Sequence, residues 1–169
     1  YVYNAYGVCG IYSAPGTAVK EAYDTSGIVT NDRGVTVWLK GNRVSRNQIM
    51  AIKEESVTEQ KNSLAVCLDN ILRHAGITRN TEYDLAQGKT ATTILSENMT
   101  GVQVLDLSGC TLDAVLYYVN QDIPVLAILD DGEAVLVTGF NEFNVVIMEP
   151  STGKLYKKGM NDATAWFAE

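Results

Sequence analysis

Six apolar side chains between Leu64 and Ala75 recur at helical spacing, and this stripe restricts the fold more than any other stretch. Leu64, Cys67, Leu68, Ile71, Leu72 and Ala75 fall at i, i+3, i+4, i+7, i+8 and i+11. At 3.6 residues per turn they form one wide apolar face that must be buried against a second layer. Asn62 or Ser63 supplies the N-cap, since a short polar side chain there accepts an amide proton that the first turn leaves unpaired. Gly76 stands where a helix commonly closes with a left-handed residue.

The last third supplies that second layer, because the period there changes to two. Residues 124–129, 134–140 and 144–148 are short, apolar and β-branched. Asp130-Asp131-Gly132, Asn141-Glu142 and Ser151-Thr152-Gly153 provide turn chemistry between them. A fourth strand is expected over 154–157, and a closing helix over 161–167 that packs Trp166. Upstream, the pattern predicts a short helix over 91–97 and a strand over 102–105. Thr111 caps a further helix with Leu112, Val115, Leu116 and Val119 on one face and Asp113 near its positive end. Helices ahead of an antiparallel sheet make an α+β fold.

Residues 1–56 read as a small α+β leading unit, and 57–169 as the main domain, with one compact unit as the alternative. A strand over 7–12 precedes a helix capped by Ser13 and opened by Pro15. Val19, Ala22 and Tyr23 form its apolar face, and Gly27 ends it. Residues 27–30 and 35–39 make a hairpin around Asn31-Asp32-Arg33-Gly34, with Val35, Val37 and Leu39 on one face and Thr36 and Trp38 on the other. Residues 43–60 form a polar connector with Ile49, Met50 and Ile52 as its buried segment.

Composition excludes several function classes. The chain carries 13 basic and 20 acidic residues, for a net charge of −7. The basic residues are scattered, and Lys157-Lys158 is a solvated pair. A nucleic-acid binder needs a clustered basic face, so none is expected. No apolar run approaches the roughly 18–20 residues of a membrane span. The sequence starts at Tyr1 without an initiator Met, which reads as a mature product or a piece of a longer protein. Cys9, Cys67 and Cys110 are far apart and form no CxxC pair, so they read as structural thiols. A single disulfide stays open if the chain is secreted. Asp130, Asp131 and Glu133 lack the spacing of a calcium loop. No metal, nucleotide or flavin signature is present, and no cofactor is expected.

Two stretches carry a resemblance. The first runs Ser63-Leu64-Ala65-Val66-Cys67-Leu68-Asp69-Asn70-Ile71-Leu72-Arg73-His74-Ala75-Gly76. The second comprises Pro124-Val125-Leu126-Ala127-Ile128, Glu133-Ala134-Val135-Leu136-Val137-Thr138-Gly139-Phe140 and Val145-Val146-Ile147-Met148-Glu149-Pro150. Together, over about residues 60–160, they resemble the papain-like cysteine peptidases that trim double-glycine leaders in bacteriocin export. The resemblance implies a papain-like fold and a bacterial protein of the envelope or the extracellular space. It puts Ser63 at the position of the nucleophilic cysteine, Glu133 at that of the histidine and Glu149 at that of the aspartate. Gly139-Phe140 and Pro150 match the family pattern. Gln60 lies near the position of the oxyanion glutamine, at a shorter offset than the family uses.

Papain-type chemistry needs a thiolate and an imidazole that touch. The chain owns one histidine, His74. Eleven residues separate it from Ser63 on one helix, about 16 Å at 1.5 Å per residue. Cys67 and His74 are separated by about 10 Å on the same measure, beyond hydrogen-bond reach. Position 133 holds a carboxylate, which is too weak a base to be a good proton acceptor near neutrality. The expectation is therefore a non-catalytic domain that holds a peptide or protein in the former substrate groove. Two alternatives stand beside it: an active peptidase with a rearranged site, Ser63–Glu133 or a cysteine with His74, and an architectural module of a larger secreted or envelope protein.

Overall fold

The computed structural model describes residues 1–40 and 49–168, which build two four-stranded antiparallel sheets and six helices. The chain is α+β, as its pattern predicts. The start of the expected 43–60 connector lies outside the described residues.

The first sheet runs in the order β2-β1-β3-β4, from β1 (Val2–Asn4), β2 (Gly7–Gly10), β3 (Ile28–Thr30) and β4 (Thr36–Leu39). β1 has no signal in the sequence, since three residues are too few to show a period. Val2, Val29 and Trp38 are direct cross-strand partners and all are buried. They pack under Ala18, Val19 and Ala22 of α1 (Pro15–Asp24). Val8, Tyr3, Ile28 and Leu39 form the partnered row on the opposite face.

The ends of α1 differ from expectation. Ala14, with an extended backbone, is the N-cap and no side chain caps the helix, so Ser13 does not serve. Pro15 carries the start alone, its missing N–H being one the first turn leaves unpaired in any case. At the other end Ser26 takes the left-handed conformation (φ 53°), and the Gly27 amide reaches back to Ala22 O at 2.7 Å. Gly27 is needed for a different reason: a Cβ there would stand 2.4 Å from Tyr3 O on the neighbouring strand.

α2 (Ser63–His74) follows the predicted stripe. Asn62 is its N-cap, Oδ1 accepting from the Ala65 amide at 2.9 Å, and Ser63 is the first helical residue. Gly76 has φ 82° and closes the helix. α3 (Glu82–Ala86) is too short for a visible period, whereas α4 (Ala91–Asn98) and the Thr111-capped α5 (Leu112–Val119) stand where the pattern predicts them. Residues 102–105 form no strand: among the described residues no strand pairs with them, and the Val102 amide pairs in a turn with Met99 O.

The second sheet is a meander of β5 (Val125–Ile128), β6 (Ala134–Phe140), β7 (Asn144–Glu149) and β8 (Lys154–Gly159), and α6 (Met160–Trp166) closes the chain. All seven residues of β6 are buried. Leu68, Leu72, Leu116, Leu136, Ile147 and Met148 fill the core between this sheet and α2 and α5. Full burial of each is worth about 1.5–3 kcal/mol. Of the expected buried segment in the connector, Met50 and Ile52 enter this core but Ile49 is exposed. The Met50 amide donates to Thr138 O, at the place where β6 bulges.

α5 belongs to both cores. Ala114 packs into the first, while Leu112, Val115, Leu116 and Val119 enter the second. The Trp38 indole donates to Ala114 O at 2.7 Å, and the Tyr118 hydroxyl to Val37 O at 2.8 Å. Burial, with Tyr117 and Cys110 adding smaller contributions, pushes the Tyr118 phenol up to about 12, so this donor keeps its proton well above neutrality. Among the described residues no helix is long and apolar enough to cross a membrane.

Candidate functional site

α2 and β6 converge at the positions singled out by the sequence. Ser63 opens the helix and Ala134 opens the strand, and the Ala134 amide donates to Ser63 Oγ at 3.0 Å. Both residues are buried. Position 63 therefore stands directly beside the strand head that carries position 133, and the bonded pair are 71 positions apart in the chain. Ser63 Oγ is not a cap. It satisfies a buried backbone donor across the helix–sheet seam, a partnership that side-chain periodicity cannot show.

Glu133 is exposed in the turn before β6. Its amide donates to Asp131 Oδ1 at 2.9 Å and its carbonyl accepts from Leu129. Its charge reaches Cys67, one turn along α2 from Ser63. Burial first, and then Glu133, push the Cys67 thiol well above its usual range, so it holds its proton and is a poor nucleophile. Glu149 ends β7, where its carboxylate faces a phenol rather than an imidazole. Burial and then Glu149 raise the Tyr156 pKa. Gln60 lies exposed on the turn between Thr58 and Lys61, its amide donating to Thr58 Oγ1.

His74 lies at the opposite end of α2 from Ser63. It is exposed, and Nε2 stands 3.1 Å from Asp122 O. Cys9 and Cys110 point to Gly7 O and Gly16 O, and all three cysteines are free thiols. Burial raises the Cys110 thiol pKa, with smaller opposing effects of Lys20 and Asp106. Ser63 and Glu133 are thus brought to one seam, and His74 is not brought to any of the nucleophile candidates. Among the described residues no cluster of His, Cys, Asp and Glu has the makings of a metal site.

Two further features escape the sequence. The first is an ion-pair network anchoring the connector to α2: Lys61 bonds Asp69 and Glu55, and Arg73 bonds Glu55. Asp69 is buried and also accepts the Thr81 amide. A Glu–Lys–Asp–Arg set spread over 19 positions has no local signature. The second is a cavity of about 310 Å³ between β4 and α5, walled by Tyr23, Trp38, Leu116, Tyr117 and Phe140. Phe140 ends the strand that Ala134 begins, so about 20 Å of β6 separates this cavity from Ser63.

No protein-family model, curated protein or solved structure matches this chain.

Proposed function

We propose that this chain is a non-catalytic domain on a papain-like framework of the bacteriocin-processing type, and that it holds a basic peptide or protein segment beside the head of β6. The observation that carries this is the Ser63–Ala134 hydrogen bond. It sets position 63 against the strand head, the relation the peptidase pattern requires of its nucleophile and base, while committing the hydroxyl to a structural bond. The base position holds a carboxylate, and the lone imidazole is at the far end of α2, about 16 Å away along the axis. A buried serine with no imidazole in reach lacks the base that the peptidase pattern uses to activate its nucleophile.

Binding would rest on the exposed acidic turn of Asp130, Asp131 and Glu133 next to the seam. These charges complement a basic ligand and would steer it at low salt. Titration with Lys- and Arg-rich peptides tests the reading. Affinity is expected to fall several-fold in Asp131→Asn/Glu133→Gln and with added salt, and binding unchanged in both would exclude this surface. Treatment with a fluorophosphonate tests whether Ser63 is inert. No Ser63 adduct is expected; stoichiometric labelling that denaturation abolishes would make the chain an active serine hydrolase.

A further inference from the structure

The cavity between β4 and α5 combines aromatic walls with acceptor atoms. Four of its side chains are aromatic: Tyr23, Trp38, Tyr117 and Phe140. Trp38 adjoins both tyrosines, its ring centroid 6.5 Å from that of Tyr23 and 6.2 Å from that of Tyr117, with tilts of 59° and 51°. Aromatic faces are electron-rich and attract a cation within about 6 Å. One of these rings already holds a cation of the chain's own. The Lys40 ammonium lies 4.1 Å from the Tyr23 ring centroid and donates to Tyr23 O at 2.9 Å.

The polar atoms of the wall favour the same kind of partner. The Trp38 indole N–H is committed to Ala114 O. Asn120 Oδ1 is a buried acceptor with no hydrogen-bond partner among the described residues. Buried acceptors are nearly always paired, so this one calls for a donor. Asp113 adds a carboxylate to the wall. Lys40 is the one basic residue among the described lining residues, and it is exposed, so its head can withdraw into solvent.

We propose that this cavity binds a guanidinium group, which replaces Lys40 on the Tyr23 ring. A guanidinium is planar, stacks on aromatic faces, donates several N–H bonds and is more weakly hydrated than an ammonium. It therefore matches the rings, the unpaired acceptor and the carboxylate together. A volume of about 310 Å³ is at the small end of ligand sites, enough for a small guanidinium compound or one arginine side chain. The length of β6 separates the cavity from the acidic turn, so the inference does not rest on peptide binding there.

Titration with methylguanidinium, followed by NMR, tests the proposal. So small a ligand binds weakly, and concentrations run to about 10 mM. The Trp38 indole and Tyr117 amide signals are expected to shift saturably. N-methylurea, a neutral analogue that keeps N–H donors, and acetate are expected to bind at least about threefold more weakly. Lys40→Gln removes the competing cation and is expected to tighten binding about threefold, whereas Tyr117→Leu weakens it by a similar factor. The urea midpoint checks that Tyr117→Leu folds, and the exposed Lys40 site carries the test if it does not. Asp131→Asn/Glu133→Gln should leave methylguanidinium binding unchanged, which separates this site from the acidic turn. A capped Gly-Arg-Gly peptide distinguishes the sources: binding at least as tight as methylguanidinium assigns an arginine side chain, and weaker binding a free small molecule. No saturable shift by 10 mM, N-methylurea or acetate bound equally well, shifts centred elsewhere, or weaker binding in Lys40→Gln would each overturn the proposal.

Discussion

At the scale of single residues, Ser63 shows how one side chain can be visible in sequence and still be misassigned. Its position at the head of a strongly periodic helix was legible. Its role was not, because the partner is a backbone amide 71 residues away that has no letter of its own. Asn62, the neighbour with the same chemistry, takes the cap instead. The consequence is energetic. Ser63→Ala leaves the buried Ala134 N–H without an acceptor, which costs about 1–3 kcal/mol. We expect a lower urea midpoint with an unchanged slope, and Ser63→Thr to recover part of the loss. An unchanged midpoint would mean that the seam rearranges to satisfy Ala134 in another way.

At the scale of elements, period was a reliable guide wherever an element buries one face over several turns or alternations. α2, α5 and the three long strands of the second sheet lie close to their expected bounds. Short elements set by tertiary context were not legible: β1 exists through its neighbours β2 and β3, and α3 is a single turn and a half. Residues 102–105 have strand-like letters but no strand partner among the described residues, and strand propensity alone does not hold an unpaired segment extended. Gly27 illustrates the same context dependence. Its value lies in the absence of a Cβ beside Tyr3 O, where β1 and β3 close on one another. Gly27→Ala must open that approach and is expected to cost about 1–3 kcal/mol, comparable to overpacking in a core. Urea unfolding measures the loss, and faster exchange of the first-sheet amides locates it.

At the scale of the whole molecule, the connector network ties stability to pH. Burial works against the Glu55 charge, but Lys61, Arg73 and Lys53 outweigh it and hold the carboxyl below its usual 4.5. Burial likewise works against the Lys61 charge, and Asp69 and Glu55 together raise the amine above 10.5. A depressed carboxyl stabilises the fold above 4.5 and ceases to do so as pH falls through its folded value. A raised amine stabilises below 10.5 and ceases to do so as pH rises through its own. Stability contributed by this network is therefore full between these limits and falls at both ends. Glu55→Gln is expected to lower the urea midpoint near pH 7 and to approach wild type only as pH falls below 4.5 through the carboxyl's folded value, so its acid limb is shallower. Parallel limbs would assign acid sensitivity to other carboxylates. The sharing of α5 between two cores bears on something else, the order in which the chain is made. A ribosome releases Trp38 long before Ala114, which lies 76 positions further along. At about 5–20 residues per second that indole waits roughly 4–15 s for its carbonyl. During synthesis the first sheet must therefore hold Trp38 before its α5 partner exists.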